Sequence, residues 1–472
     1  MKTPIFYKPS DGWLADVIPF YWDGLFHLFY LKDYRDVPRH GAGTPWFHLA
    51  TRDFVDFRDL GEALPRGGDD AQDQYVFTGC VIERDGLFHI FYTGHNETFR
   101  GTDRPDEAIM HATSPDLEHW TRDPANPILF APTDRYERDD WRDPFVYWDP
   151  EANEFRMLLA ARRRAGPSNR RGCIALATSA DLRHWEVQEP LWAPDLYFTH
   201  ECPDLFRVGD EWCLVYSTFT ERTVTHHRRG RSQDGPWLAP VDDAFDSRAF
   251  YAAKSATDGR RRYVFGWLPS RADERDDGAW QWGGNLVVHE IVDDAGAFTV
   301  RPPKSVVDRF SIPVDLSVDP VIGRWTVDGD VVSAHSEDGF AYLRLASMPD
   351  PCSIEVSMAI EPGTRSAGVM LRVDDELDHY YQLRIEPERR RIVFDRWPRP
   401  GDQPFVFERP LPDGVDPTIR LRVLVEGTAI VTYVDDRVAL SARGYDSPGR
   451  SVGLFVSEGS ATFTNATVRE PA

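Results

Sequence analysis

Residues 23–30 read Asp-Gly-Leu-Phe-His-Leu-Phe-Tyr, and residues 85–92 repeat the phrase almost unchanged as Asp-Gly-Leu-Phe-His-Ile-Phe-Tyr. Each phrase is a turn followed by a strand rich in aromatic residues. Looser copies of the turn and strand follow near residues 153, 209 and 259, so the copies begin about 50 to 65 residues apart. This period is close to the length of a four-stranded propeller blade, and the repeat therefore predicts five blades.

A second repeated phrase supports the same period. Ala-Thr precedes an acidic turn at residues 50–53, 112–116 and 177–181, and the last two copies continue to Trp120 and Trp185. Each copy is interpreted as a third strand that leaves the blade into an Asp-capped turn. The tryptophans are expected to pack under the blade, which is a structural role.

The turns give a common reference point for the strand that precedes each of them. Asp16, Thr78, Glu201 and Tyr251 each lie eight residues before the glycine of their turn, while Asp143 lies ten residues before the longer third turn. In radially repeated sheets, equal offsets put side chains at one level around one axis. We therefore expect the two aspartates and the glutamate to converge on one pocket.

The sequence changes character after the repeats. Apolar and polar residues alternate throughout the chain, and helical periodicity is hard to find. Residues 301–320 contain Arg-Pro-Pro-Lys and Ile-Pro-Val and are interpreted as a connector. Short strands separated by Asp-Gly, Asp-Asp and Pro-Gly turns follow. The predicted fold is all-β, a five-bladed β-propeller over residues 1–300 followed by a C-terminal β-sandwich over residues 321–472.

Composition excludes several classes of partner and site. The net charge of −23 disfavours binding to nucleic acid and to anionic membranes, because both require basic residues. The five cysteines include no C-x-x-C pair, so they predict buried free thiols rather than disulfides or a zinc site. The N-terminus has no apolar segment, and the chain is expected to be cytoplasmic.

Asp16, Asp143 and Glu201 offer the groups that cleavage of a glycosidic bond requires. The reaction needs a proton donor at the leaving oxygen and a carboxylate that traps or stabilises the oxocarbenium-like carbon. Asp16 is the expected nucleophile. Glu201 is the expected general acid, because Cys202 and nearby aromatic residues offer an apolar setting that raises a carboxyl pKa. The charge of Arg142 favours an ionised Asp143, which is therefore expected to stay charged and to stabilise the transition state.

Register and flanking residues distinguish these acids from the rest. Three carboxylates among 77 acidic residues carry little weight by themselves. Apolar residues follow Asp16 at positions 17–18 and follow Asp143 at positions 145–146. Acids on otherwise buried strands carry a desolvation cost that structural roles seldom explain. The three acids are therefore interpreted as functional.

Short motifs over nearly the whole chain resemble glycoside hydrolase family 32, which contains invertases, inulinases and levanases. The matching segments are Arg142-Asp143-Pro144, Glu201-Cys202, Trp13-Leu14-Ala15-Asp16, Phe77-Thr78-Gly79-Cys80, Trp46-Phe47-His48 and Trp280-Gln281-Trp282-Gly283-Gly284. The resemblance implies a five-bladed propeller with a C-terminal β-sandwich. It also implies that Asp16 is the nucleophile, Asp143 the transition-state stabiliser and Glu201 the general acid/base.

The opening motif departs from the family pattern. Both asparagines of the family's Trp-Met-Asn-Asp-Pro-Asn-Gly are missing around Asp16, and the glutamine of Phe-Tyr-Gln is replaced by Leu31. A pocket built to hydrogen-bond one hydroxyl loses affinity when those partners change. We therefore expect furanoside chemistry, fructosides first, without a sucrose-type specificity.

Six residues in these motifs or at the common register are expected to contact a small-molecule or oligosaccharide substrate: Arg142, Trp13, Trp46, Thr78, Tyr251 and Trp280. The expected mechanism needs neither a metal nor an organic cofactor. The C-terminal domain is expected to pack on the propeller, and a homodimer contact is a further role open to it.

Three alternatives remain open at this point. An inverting arabinofuranosidase-like enzyme would separate its carboxyl groups by roughly 6.5–9.5 Å, against roughly 5 Å in a retaining enzyme. A fructosyl transferase would use the same nucleophile. A non-catalytic carbohydrate-binding protein would keep the scaffold without turnover.

Overall fold

The computed structural model describes residues 4–294, 297–399, 401–403, 405–411 and 418–472. It is almost entirely β, and its first half consists of antiparallel sheets arranged as five blades. Each aromatic phrase forms the second strand of its blade and pairs with the strand on either side. The predicted all-β propeller is therefore confirmed. Each blade buries apolar residues on both faces, against the blade before it and the blade after it.

The strands of the blades have the following bounds. Blade one contains β1 (Trp13–Trp22), β2 (Leu25–Asp33), β3 (Trp46–Thr51) and β4 (Phe57–Leu64), with helix α1 (Val37–His40) before β3. Blade two contains β5 (Tyr75–Arg84), β6 (Leu87–His95), β7 (Glu107–Ser114) and β8 (Thr121–Arg122). Blade three contains β9 (Tyr136–Asp149), β10 (Glu154–Arg163), β11 (Gly172–Ser179) and β12 (Glu186–Val187). Blade four contains β13 (Glu201–Val208), β14 (Glu211–Thr218) and β15 (Val224–Gly230). Blade five contains β16 (Tyr251–Thr257), β17 (Arg262–Arg271), β18 (Trp280–Asp294) and β19 (Ala297–Arg301).

The ring closes between the first blade and the last. Strand β1 pairs with β2 and also meets β18, where Leu14 lies opposite Gly284, so blades one and five share one eight-stranded sheet. A Cβ on Gly284 would lie 1.7 Å from the carbonyl oxygen of Leu268, so only glycine allows this close approach.

The acidic turns after the third strands form as predicted. The carboxylate of Asp116 accepts hydrogen bonds from the backbone N–H groups of Glu118 and His119 at 2.9 and 2.8 Å. The turns at Asp53 and Asp181 have the same arrangement. These side chains replace backbone partners that the strand end leaves without bonds.

The second half of the chain is the predicted β-sandwich. Helix α2 (Lys304–Arg309) leads into it. Its strands are β20 (Phe310–Pro313), β21 (Asp319–Ile322), β22 (Arg324–Asp328), β23 (Val331–Ser347), β24 (Cys352–Ile360), β25 (Ser366–Val373), β26 (Tyr380–Glu386), β27 (Arg391–Trp397), β28 (Phe407–Pro410), β29 (Thr418–Glu426), β30 (Ala429–Val434), β31 (Val438–Arg443) and β32 (Ser451–Pro471).

Strand β32 runs through both layers of the sandwich. Residues 451–457 pair with β25 and residues 461–469 pair with β24. Between them, Glu458 and Gly459 have φ angles of 46° and 150°, which turn the strand from one layer to the other. A Cβ on Gly459 would meet Thr364 at 2.4 Å, so a larger residue does not fit this corner.

The predicted domain bounds remain a prediction. The predicted connector, residues 301–320, contains α2 and β20, and β20 pairs with the end of β32. All five cysteines are free and buried, and each lies in a strand, as the sequence predicted.

Candidate active site

Every blade interrupts its first strand at the level of the predicted acids. The pairing between the first and second strands shifts between Ala15 and Val17, Phe77 and Gly79, Arg142 and Phe145, Glu201 and Asp204, and Tyr251 and Lys254. A β-bulge bends a strand and re-aims the extra side chain. Asp143 and Cys202 have positive φ angles of 57° and 51° at their bulges. The common register in the sequence is thus a ring of bulges in the structure.

A cavity of about 750 Å³ opens at this ring, and Asp16, Asp143 and Glu201 all line it. The three side chains come from the first strands of blades one, three and four. The structure therefore brings the predicted acids together at one site.

Both carboxylate oxygens of Asp16 accept hydrogen bonds, and the Cys202 thiol also approaches Oδ2 at 4.0 Å. The Thr78 hydroxyl donates to Oδ2 at 2.5 Å, and the Trp267 indole N–H donates to Oδ1 at 2.9 Å. Burial raises the pKa of Asp16, and these two hydrogen bonds oppose that shift because they stabilise the ionised form. The arrangement fixes the orientation of the carboxylate without placing a basic residue directly on it.

Both oxygens of Glu201 are also occupied. The Tyr251 hydroxyl donates to Oε2 at 2.5 Å, and Nη2 of Arg142 donates to Oε1 at 3.1 Å. Burial raises the pKa of Glu201, Arg142 lowers it and Asp143 raises it, with a net upward shift. A carboxyl with a raised pKa is suited to donate a proton near neutral pH.

Asp143 is deeply buried and accepts the backbone N–H of Cys202 at 2.9 Å. Its own N–H donates to the Thr93 hydroxyl at 2.8 Å. Burial raises the pKa of Asp143 to about 6, although Arg142 lowers it. The expectation that Arg142 would decide this pKa is therefore corrected: desolvation outweighs the guanidinium. The carboxyl still ionises at pH 7, but with a smaller margin than the sequence suggested.

Arg142 connects four carboxylates in the wall of the cavity. It contacts Glu201 at 3.1 Å, Glu107 at 3.2 Å, Asp140 at 2.9 Å and Asp143 at 3.9 Å. Four acids around one guanidinium raise the pKa of Arg142 well above its ordinary value, despite burial. Arg142 thus compensates a cluster of negative charge that would otherwise repel itself.

The other predicted contact residues divide into two groups. Tyr251 and Trp280 line the cavity. Thr78 is fully buried behind Asp16 and reaches the site only through that carboxylate. Trp46 is also fully buried, and its indole N–H donates to the carbonyl of Phe77 at 3.2 Å. Trp13 lies under the guanidinium of Arg35, 4.5 Å from the ring centroid.

Trp13 and Trp46 are not among the residues that line the cavity, and their contact with substrate stays a prediction. Their motifs surround the site in sequence, but alternation along a strand points successive side chains to opposite faces. Trp46 belongs to the core between blades one and two, where it lies 6.2 Å from the ring of Tyr92.

The cavity is also lined by residues that were not predicted as site residues, although four of them, Phe77, Cys202, Gln281 and Trp282, stand in the quoted motifs. They are Phe77, Arg100, Glu107, Asp139, Asp140, Phe198, Cys202, Phe219, Thr223, Arg248, Ala252, Trp267, Pro269, Gln281 and Trp282. A signal for Trp267 was present, because it lies eight residues after the turn glycine of blade five and pairs directly with Tyr251. Counting forward from the turns, as well as backward, would have found it.

Within the described ranges, no group of three or more His, Cys, Asp or Glu side chains is arranged to hold a metal ion. None of the helices in this part of the chain is long and apolar enough to span a bilayer.

Comparison with known proteins agrees with the architecture over both halves. Residues 6–292 match Glycosyl hydrolases family 32 N-terminal domain, and residues 326–470 match Glycosyl hydrolases family 32 C terminal. The chain is 23% identical to the levanbiose-producing levanase of Bacillus subtilis strain 168 over 499 residues, covering 98% of this chain and 89% of the levanase. It is also 23% identical to sucrose-6-phosphate hydrolase of Escherichia coli, covering 98% and 93% of the two chains.

Solved structures share the fold. The exo-inulinase from Aspergillus awamori superimposes with a TM-score of 0.75 at 17% identity, covering 99% of this chain and 97% of the inulinase. The β-fructofuranosidase of Aspergillus kawachii gives a TM-score of 0.76 at 16% identity, covering 98% and 93%. With both domain matches in chain order, this protein belongs to glycosyl hydrolase family 32 and is a glycoside hydrolase.

Proposed function

We propose that this enzyme hydrolyses fructosides, or related furanosides, by a retaining double displacement at the cavity of Asp16, Asp143 and Glu201. The observation that carries the proposal is the convergence of the three acids on one cavity from the bulges of three blades. The relatives named above are a levanase and a sucrose-6-phosphate hydrolase. Related structures contain sucrose and 1-kestose, which further supports a fructosyl substrate.

In the first step, an oxygen of Asp16 attacks the anomeric carbon of the furanosyl unit. The bond from that carbon to the leaving oxygen breaks, and Glu201 gives its proton to this oxygen. The products are a free alcohol and a glycosyl ester on Asp16. The raised pKa of Glu201 supports its role as the acid in this step.

In the second step, Glu201 acts as a base and removes a proton from water. The oxygen of that water attacks the anomeric carbon and displaces the Asp16 carboxylate, which returns both groups to their starting states. Two displacements at one carbon retain its configuration.

Asp143 is assigned to stabilise the positively charged transition state. It is buried beside the two reacting acids, and the backbone N–H of Cys202 holds one of its oxygens. A fixed carboxylate in a dry site stabilises developing positive charge more strongly than water does.

Two variants and one product analysis test the proposal. Asp16→Asn removes the nucleophile and Glu201→Gln removes the acid/base, and each is expected to lower kcat by at least about 10⁴-fold on fructosides. Product NMR of the wild-type reaction should show retained anomeric configuration. Trp120→Phe, in an outer turn of blade two, is the matched control and should retain wild-type kcat.

The outcomes distinguish the alternatives. Inverted product would replace the mechanism with an inverting, arabinofuranosidase-like one. Transfer of the furanosyl group to added sugar in preference to water would indicate a transferase. Binding of furanosides without turnover over a broad panel would overturn the catalytic assignment of these three acids.

A further inference from the structure

Arg443, the last residue of β31 in the sandwich, crosses to blade five of the propeller. Its guanidinium donates to the carbonyl oxygens of Leu268 and Pro269 at 2.7 and 2.8 Å. Two more hydrogen bonds reach Oδ1 of Asn285 and the hydroxyl of Thr428, both at 2.7 Å. Two of these bonds therefore hold the end of strand β17 from the second domain, a third reaches β18, and the fourth stays within the sandwich.

Arg443 forms no direct ion pair with a carboxylate of the described residues, although the charge of Glu274 favours its protonated form. The side chain is buried, and none of the ion pairs among the described residues includes it. Burial lowers the pKa of Arg443 to about 10. A buried guanidinium without a carboxylate in direct contact is costly, and its hydrogen bonds to carbonyl oxygens recover part of that cost.

The hydrogen bonds from Arg443 to β17 lie next to an irregularity in the pairing of β17 with β18. The pairing between β17 and β18 shifts between Pro269 and Arg271. Proline has no N–H to contribute to the ladder, so the sheet lacks one donor at this point. Arg443 supplies donors to the two carbonyls at the start of this interruption.

The held segment leads directly to the candidate nucleophile. Trp267 precedes Leu268, and its indole N–H donates to Oδ1 of Asp16 at 2.9 Å. Pro269 itself lines the cavity. A shift of β17 at Leu268 and Pro269 would therefore move or break the hydrogen bond to Asp16.

We infer that Arg443 is a positioning residue for the nucleophile, acting through Trp267 from the second domain. This inference rests on the proposed function of Asp16. Its consequence is that the β-sandwich contributes to the geometry of the active site as well as to folding.

The charged and titratable groups around Asp16 define the expected pH response. Glu201, Asp143, Cys202 and Tyr251 all interact electrostatically with Asp16. The Trp267 hydrogen bond favours the ionised carboxylate, so its loss raises the pKa of Asp16. Because the nucleophile must be ionised, the acidic limb of the kcat/KM profile then moves to higher pH.

The main experiment compares Arg443→Met with Trp267→Phe in the full chain. Each variant is expected to shift the acidic limb upward and to lower kcat by about 10- to 100-fold. Arg443→Lys keeps the charge without the planar fork and should give a smaller shift in the same direction. It also provides the test if the methionine variant does not fold.

The matched control is Arg409→Met. Arg409 is another buried sandwich arginine that crosses to the propeller, where it contacts Asp242 at 2.6 Å and the carbonyl of Ala244 at 2.7 Å. It does not touch β17. Arg409→Met should lower the thermal midpoint as Arg443→Met does, but leave the acidic limb in place.

The double variant provides the decisive readout. If Arg443 acts through Trp267, combining Arg443→Met with Trp267→Phe should cost little more kcat than Trp267→Phe alone. Fully additive losses, or an acidic limb that stays in place in the Arg443 variants while the thermal midpoint falls, would overturn the inference. An Asp16→Asn variant with full activity would instead overturn the proposed function, so the two failures are distinguishable.

Discussion

The cavity wall formed by blades three and four is held by charges within the propeller, whereas the wall formed by blade five is held from outside by the sandwich. In the first wall, Arg142 joins Asp140 and Glu201, and it also pairs with Glu107 of blade two. In the second, bonds come from Arg443 and from Ser441, whose N–H donates to Asp246 at 2.6 Å. One half of the site is therefore held within the propeller, whereas the other half depends on contacts with a second domain.

Asp246 shows how the second wall is secured. This buried carboxylate also accepts the hydroxyl of Ser441 at 2.5 Å and lies 2.9 Å from His289, whose other ring nitrogen lies 2.8 Å from the hydroxyl of Tyr433. Asp246 begins the segment that carries Arg248 and Tyr251 into the cavity. The sandwich thus holds blade five at the loop before β16 as well as at β17.

Breaking the first wall should have the largest effect. Arg142→Met leaves Glu107 and Glu201 without this guanidinium and leaves Asp140 paired with Arg162 alone, which is expected to cost about 3–5 kcal/mol of unfolding free energy. It should also lower kcat by about 10²–10³-fold, because the electrostatics at Glu201 and Asp143 change. Denaturant unfolding and steady-state kinetics measure the two losses.

A buried arginine outside the cavity is the control for this loss. Arg162 pairs with Glu137 and Asp140 and is nearly inaccessible, but does not line the cavity. Arg162→Met should destabilise the protein comparably and reduce kcat far less. Equal losses of kcat would show that Arg142 acts only through stability.

Breaking the second wall should have the next largest effect. Asp246→Ala leaves two donors of Ser441 and the ring of His289 without their acceptor, so we expect a loss of about 3 kcal/mol in unfolding free energy. The charges at Glu201 are untouched, and kcat should therefore fall less than in Arg142→Met. An unchanged denaturation midpoint would contradict the role given to this contact.

A variant of Asp143 measures how much the ionised carboxylate in the first wall lowers the unfolding free energy. Its pKa is about 6 in the folded protein against an ordinary value of 3.8, so the native state binds the proton more tightly than the unfolded chain. The protonated Asp143 carboxyl stabilises the folded protein fully below pH 3.8, and this stabilisation is lost as the pH rises to about 6. Asp143→Asn should therefore be more stable than wild type at pH 7, by on the order of 3 kcal/mol, and inactive.

The measurement for Asp143 is the thermal midpoint as a function of pH. The difference between Asp143→Asn and wild type should grow between pH 4 and pH 6 and then level off. A difference that is constant over this range would show that the carboxyl ionises normally in the folded protein.

Tyr251 connects the two walls and gives the smallest expected effect. Its hydroxyl lowers the pKa of Glu201, so Tyr251→Phe should raise that pKa and move the basic limb of the kcat/KM profile to higher pH. We expect a loss of about tenfold in kcat, because the acid is less well oriented. Tyr136→Phe is the control, since that buried hydroxyl has no hydrogen-bond partner among the described residues. If the basic limb of the kcat/KM profile lies at the same pH in Tyr251→Phe and in wild type, Tyr251 does not influence the pKa of the general acid.

Much of the architecture could be predicted because it depends on sequence patterns that span only a few neighbouring residues. The aromatic phrases define second strands, and the distances from their turns identify the bulges that carry Asp16, Asp143 and Glu201. Strand periodicity and turn residues act over a few positions, so each copy of a repeated phrase forms the same turn and strand. The substrate contacts predicted for Trp13 and Trp46 stay predictions, because a motif near a site does not specify which face of the strand each side chain occupies.

The partners of the acids could not be predicted in the same way. Glu107 meets Arg142 across 35 residues, Trp267 meets Asp16 across 251 residues, and Arg443 meets Pro269 across 174 residues. No local pattern encodes such pairs, because they arise only after the ring of blades closes and the sandwich docks.

The sequence by itself determined the blades, the sandwich and the level at which three carboxylates face a common axis, since strand period and turn spacing are properties of neighbouring residues. Only the tertiary structure decided how those carboxylates are charged and held. Burial raises the pKa of Asp143 by more than the adjacent Arg142 lowers it. The second domain donates hydrogen bonds to the strand whose Trp267 contacts Asp16. Desolvation and long-range hydrogen bonds depend on the whole fold, and for that reason they emerge only in three dimensions.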